Sequence, residues 1–201
     1  MSKSTPGVRY AEVERETKET RVQIVLDLDG GQRRDINTGI PFFDHMLDQL
    51  AFHAHINVGI SAEGDLAVDD HHTVEDVGIV LGQAIRHALD GGEHIARFSS
   101  NHTAMDDALV LTALDISGRG KLFFEAEFTR EKVGGLATEC VREFFGTVAA
   151  NAGITLHLRK ICGINDHHLC EAMFKGFGLA LSQATHIVEG KGVRSTKGRI
   201  G

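Results

Sequence analysis

Residues 70–75 read Asp-His-His-Thr-Val-Glu, and residues 166–171 read Asp-His-His-Leu-Cys-Glu. The two hexamers lie 96 residues apart and agree at four of six positions, the uncommon His-His pair among them. The agreement continues at the same offset, where Gly82 pairs with Gly178 and Ala84 with Ala180. Upstream, Ala51, Ala54 and Ile56 pair with Ala149, Ala152 and Ile154 at an offset of 98, so a two-residue loop difference separates the copies. A chain that repeats itself at about half its length folds as two copies of one unit. We read half-domains over 1–95 and 96–190, followed by a basic, glycine-rich tail over 191–201.

Each copy reads as strands, then helix, strand, helix. Val22, Ile24, Leu26 and Leu28 alternate, the pattern of a strand buried on one face. Pro41 suits a first helical turn. Phe42, Phe43, Met46, Leu47, Leu50, Ala51 and Ala54 then follow helical spacing. A strand at 56–62 and a helix from Val74 to Leu89 complete the first copy. The second copy predicts strands near 109–116 and 120–128, a helix over 137–151, a strand over 154–160 and a helix over 167–186. This order lacks strict βαβ alternation, so the expected class is α+β, with a mixed sheet and two helices in each half.

Composition narrows the partners. A net charge of −7 without a long basic run disfavours nucleic acid. No stretch approaches the ~20 apolar residues of a membrane helix. The first residues lack the apolar core of a secretion signal, and Cys140, Cys162 and Cys170 are too few for a disulfide framework. A cytoplasmic protein is expected. Histidine, at 12 residues, is the outlier, and it is the commonest metal ligand.

At the start of a helix, His71 and His72 diverge by ~100°, while Glu75 shares a surface with each. Two adjacent histidines so placed serve different metals better than one. His167, His168 and Glu171 repeat the arrangement, which predicts two similar metal sites. One further ligand per half would bring each to four: His45 in the first half, and its counterpart Glu143 in the second. Nitrogen and carboxylate ligands with open positions suit Mn²⁺, Fe²⁺, Co²⁺, Ni²⁺ or Zn²⁺. Asp106 and Asp107 read either as a loop cap or as carboxylates behind a ligand.

The segments FFDHMLDQLAFH, DDHHTVEDVGIVLGQA, DISGRG, NDHHLCEAMFKGFGLAL and STKG, in that order, resemble the imidazoleglycerol-phosphate dehydratase family over nearly the whole chain. The resemblance implies a duplicated unit of the ribosomal-protein S5 domain 2-like type. It also implies two Mn²⁺ per chain and a homo-oligomer of 24 subunits with active sites shared at subunit interfaces. Family ligands match His45, His71, His72, Glu75, His167, His168 and Glu171. Many members have His where this chain has Glu143, so either a carboxylate replacement or a loosened ligand is expected there. Gly120 and Asp107 also depart from the common pattern.

The implied reaction is loss of water from imidazole-glycerol phosphate, giving imidazole-acetol phosphate in histidine biosynthesis. The proton to be removed is not next to a carbonyl, so it is not acidic. Metals on the imidazole nitrogens favour an electron-rich ring that can expel the neighbouring hydroxyl and then acidify the C–H. By resemblance Glu19 is the substrate-side base; from the residues alone it reads as a solvated turn. Glu75 and Glu171 are further carboxylates of the catalytic centre, although their motifs would use them as ligands. Family matches for the phosphate are Arg97, Arg119, Lys175, Ser195 and Lys197, with Gln49 one helical turn from His45 and near the substrate.

Overall fold

The alternation of Val22, Ile24 and Leu26 buries all three completely, and it fixes which face of the first sheet meets the core. The computed structural model describes residues 9–89, 94–188 and 192–196. The first six elements are β1 (Tyr10–Glu16), β2 (Thr20–Asp27), β3 (Arg34–Asn37), α1 (Pro41–Ala54), β4 (Asn57–Gly64) and α2 (His71–Leu89). Next come β5 (Phe98–Met105), β6 (Ala108–Ile116), β7 (Lys121–Glu125) and a small hairpin of β8 (Lys132–Val133) and β9 (Leu136–Ala137). The chain continues through α3 (Thr138–Ala152), β10 (Ile154–Cys162) and α4 (Asp166–Thr185). Among the described residues no helix is long and apolar enough to cross a membrane.

The two four-stranded sheets have the orders β1-β2-β4-β3 and β5-β6-β10-β7. In each, the first three strands are antiparallel and the last joins in parallel. Setting aside β8–β9, the second sheet repeats the first, and the α+β class with duplicated mixed sheets is what is observed. Besides the small β8–β9 hairpin, strands β1, β3 and β5 are the elements that periodicity did not reveal. All three are sheet edges, with polar residues on an exposed face, so their alternation is weak. The strand expected over 120–128 stops at Glu125, where the chain leaves the sheet for the hairpin.

Helix ends also repeat. Helix α3 stops at Gly153, whose φ of 70° is left-handed. Helix α1 stops at His55, in the equivalent position, with φ of 56°. There a side chain adopts the conformation usually left to glycine, and its amide still caps the Ala51 and Phe52 carbonyls.

The helices fill the space between the sheets. Helix α2 covers β1, β2 and β4, and α4 covers β5 and β6; α1 lies against β3, and α3 against β7 and β10. Across the middle, α2 packs on α3 and α1 packs on α4. Each half therefore covers its helices with those of the other. Both crossings close on a glycine. A Cβ at Gly82 would stand 2.8 Å from the Val148 carbonyl oxygen, and one at Gly178 would collide with the Leu50 carbonyl. Leu50 and Val148 are themselves repeat counterparts, so the two contacts are one contact used twice. Phe43, Phe144, Phe145, Phe174 and Phe177 fill the centre, with Phe144 stacked on Phe174 at 5.1 Å and Phe43 edge-on to Phe144 at 5.3 Å.

Gly82→Ala and Gly178→Ala should each lower unfolding stability by about 1–3 kcal/mol, because the added methyl meets backbone that cannot yield. Gly31→Ala, with nothing within 4 Å, should leave it unchanged. Denaturant titration of the three variants checks this.

Candidate active site

The repeated motifs open α2 and α4, and the residues just before them explain why helices start there. Asp69 accepts a hydrogen bond from the His71 amide at 2.9 Å, and Asn165 accepts from the His167 amide at 2.9 Å. These are matching caps. The next residues, Asp70 and Asp166, are buried and turn inward. Asp166 accepts from the Thr129 amide and hydroxyl and the Arg130 amide, and Asp70 accepts from the Ala137 amide. The two aspartates thus hold opposite ends of the segment leading into α3.

Past the caps, α4 presents His167 and Glu171 on one face, and α1 brings His45 against them. One ligand atom from each of His45, His167 and Glu171 lies within 4.8 Å of the other two. Glu171 Oε2 is 3.2 Å from His167 Nε2 and 3.8 Å from His45 Nε2. Its other oxygen accepts from Lys175 Nζ at 2.6 Å. Burial pushes the Glu171 carboxyl up, but Lys175 and the two imidazoles outweigh it and hold the group below its ordinary value. An ionised carboxylate and two imidazoles converging with one side open form a donor set suited to a divalent transition metal.

His45 therefore joins the second motif rather than the set in its own half. The reason is the packing: α1 lies on α4, and α2 on α3. The equivalent set, His71, Glu75 and Glu143, stands at the α2–α3 crossing. Among the described residues it does not converge as closely, because no group other than His45, His167 and Glu171 meets the same spacing. The two copies differ here. Glu171 has Lys175 four residues on, whereas Glu75 has Ile79.

The second histidine of each motif points elsewhere. Ring centroids of His71 and His72 are 6.2 Å apart and nearly perpendicular, and those of His167 and His168 are 6.0 Å apart. The divergence expected from helical geometry is present. His72 Nδ1 meets Asp65 at 3.1 Å and lies 4.0 Å from the Glu19 carboxylate. Asp65 raises the His72 imidazole above its usual range. His168 Nδ1 meets Asp107 at 2.6 Å, and its Nε2 lies 3.3 Å from Asp106. Asp107 is both a loop cap and a carboxylate behind a histidine. Glu19 sits exposed in the β1–β2 turn.

Of the expected phosphate residues, Arg97 and Ser195 lie together, away from the motif histidines. Arg97 is bound to Asp115 at 2.7 Å and donates to the Arg194 carbonyl at 2.6 Å, which docks the start of the tail, including Ser195, beside it. Arg119 is exposed in the turn after β6. Lys197 lies outside the described residues. Lys175 faces Glu171 instead of joining the arginines. Gln49 is half-buried one turn along α1 from His45. Strand β5 separates Arg97 from Asp106, a span of about 26 Å for eight residues.

Sequence reasoning missed Asp65 and Asp76. Buried Asp76 accepts from Arg15 Nε at 2.8 Å and from the Thr20 hydroxyl, tying the turn that carries Glu19 to α2. Its place directly after the motif glutamate was the available signal, but Ala172 stands at the matching position, so the repeat concealed it.

Fold and site together define an internally duplicated α+β protein with a histidine–carboxylate centre between helices of its two halves. The family model for imidazoleglycerol-phosphate dehydratase matches residues 38–181. The imidazoleglycerol-phosphate dehydratase of Metallosphaera sedula is 54% identical over 192 residues, covering 96% of this chain and 99% of that protein. That of Acetivibrio thermocellus is 52% identical over 193 residues, with 96% and 99% covered. The crystal structure of the Staphylococcus aureus enzyme aligns with a TM-score of 0.81 at 38% identity, covering 89% of this chain and 99% of that one. The Pyrococcus furiosus structure, in complex with (S)-C348, aligns with a TM-score of 0.81 at 37% identity, covering 93% and 99%. The chain belongs to the imidazoleglycerol-phosphate dehydratase family, a family of hydro-lyases.

Asp76→Ala should remove the carboxylate that Arg15 and the Thr20 hydroxyl share, leaving that hydroxyl only its contact with the Thr17 hydroxyl, and cost about 2 kcal/mol of stability. It should also lower turnover by freeing the Glu19 turn, and unfolding and rate measurements on one preparation would separate the two effects.

Proposed function

We propose that this chain removes water from imidazole-glycerol phosphate to give imidazole-acetol phosphate, using two Mn²⁺ per chain. The observation that carries the reading is the convergence of His45, His167 and Glu171 on one open point. This donor set fits a divalent ion, and His71, Glu75 and Glu143 would hold the second by the pseudo-twofold. His72 and His168 are the remaining ligand residues. When bound, the metals supply Lewis-acid polarisation of the substrate imidazole.

The chain's own residues supply the rest. Lys175 keeps Glu171 ionised and aimed at the centre. The hydroxyl on the carbon next to the ring leaves first. Glu19, exposed near His72, then takes the C–H proton of the following carbon. That proton and the hydroxide together make the water released, and the resulting enol becomes the ketone. Arg97, Arg119, Ser195 and Lys197 hold the phosphate through charge-assisted hydrogen bonds. Arg97 stands at the opposite end of β5 from the motif histidines. That separation favours sites completed by another copy of the chain, in keeping with a 24-subunit cytoplasmic assembly.

Protein stripped by a chelator should lose turnover of imidazole-glycerol phosphate and regain it on adding Mn²⁺. Glu19→Gln should keep metal and fold but lower kcat by about 100-fold or more. Lys197→Ala should raise KM. Release of inorganic phosphate in place of the ketone would overturn the reading in favour of a phosphoesterase.

A further inference from the structure

Two aspartates from unlike places make the same contact. Asp65 follows β4, and Asp107 sits in the β5–β6 turn; they are not repeat counterparts. Yet Asp65 meets His72 Nδ1 at 3.1 and 3.2 Å, and Asp107 meets His168 Nδ1 at 2.6 Å. His72 and His168 are themselves counterparts. The contact has been reached on both sides of the pseudo-twofold by different residues, so it is the contact and not an inherited position that the two copies share.

An ionised carboxylate only accepts hydrogen bonds. Nδ1 of each ring must therefore donate, and the lone pair of the neutral ring falls on Nε2. Asp107 cannot swing away, since its second oxygen accepts from the Ile164 amide at 2.6 Å and the Asn165 amide at 3.1 Å. These bonds hold its carboxyl well below the usual range. On the far side of the ring, His168 Nε2 faces the exposed carboxylate of Asp106 at 3.3 Å, so negative charge already stands where a cation would be bound.

We propose that Asp65 and Asp107 are positioning residues. They fix His72 and His168 as Nδ1–H tautomers and so present Nε2 of each as a metal ligand. This deepens the metal-dependent reading above and rests on it.

The test uses three substitutions of Asp107 and a control. An asparagine in its place can still accept from the Ile164 and Asn165 amides, but its NH₂ donates to His168 Nδ1 and forces the proton onto Nε2. An alanine loses the cap but leaves the ring free to choose. Mn²⁺ affinity is measured on metal-free protein against a fluorescent chelator, with the unfolding midpoint of each metal-free variant alongside. Asp107→Asn should weaken one of the two Mn²⁺ sites by about 10–100-fold. That loss should at least equal the loss in Asp107→Ala, although the alanine variant unfolds more easily. Asp107→Glu should recover most of the affinity. A purely structural cap gives the reverse order, with alanine weaker than asparagine, and that result overturns the proposal. So does an asparagine variant that binds Mn²⁺ like the native protein. His168→Ala separates the two levels. If it loses a site while Asp107→Asn does not, the positioning role fails and the metal reading stands. If it keeps both sites at native affinity, His168 is not a ligand and both fail.

Discussion

Backbone meets backbone where the helices of the two halves cross, and the rest of the structure depends on that contact. Helix α4 can lie on α1 only because Gly178 has no side chain, and α2 can lie on α3 only because Gly82 has none. Close approach at these crossings brings the helix starts together as well. His45, near the start of α1, meets Glu171, near the start of α4, seven residues before the glycine. His167 and Glu171 are local to the motif, one turn apart on α4, and the third donor, His45, reaches them through the packing contact.

Repeat-level features were legible in the sequence because they depend on residue identity at fixed separation. The paired Asp-His-His-x-x-Glu motifs, Gly82 with Gly178, and the divergence of adjacent histidines all follow from helical geometry, and the structure has them. Strand β2 and the four helices were readable because one face of each is buried among apolar residues. What escaped depends on neighbours distant in sequence. No periodicity says that His45 completes the motif of the other half; that requires knowing that α1 lies on α4. Asp65 and Asp76 are ordinary acidic residues until β4 and the β1–β2 turn bring them to α2. Glu19 reads as a solvated turn residue, and it is indeed exposed; its proximity to His72 is tertiary.

Symmetry is used unevenly. The caps Asp69 and Asn165, and the inward Asp70 and Asp166, match closely. Around them the copies have diverged. Lys175 faces Glu171 while Ile79 follows Glu75, and Asp76 anchors a turn that Ala172 cannot. Glu143 stands where its counterpart is His45. The converging set is thus a carboxylate with two imidazoles and a lysine behind it, whereas the residues at the equivalent positions, His71, Glu75 and Glu143, are richer in carboxylate and lack that lysine. Two ions of one kind would experience different fields in the two places.

The reciprocal crossing of the halves also bears on descent. In a twofold dimer, a surface patch on one copy meets the same patch on the other, so each contact occurs twice. Here α1 on α4 and α2 on α3 are such a contact, joined through one chain. A half-length protein of this kind would leave its helices uncovered when alone and cover them by pairing with itself. The present chain has the form that such a homodimer takes when its gene is duplicated and the copies are joined, with the paired glycines at the two equivalent crossings.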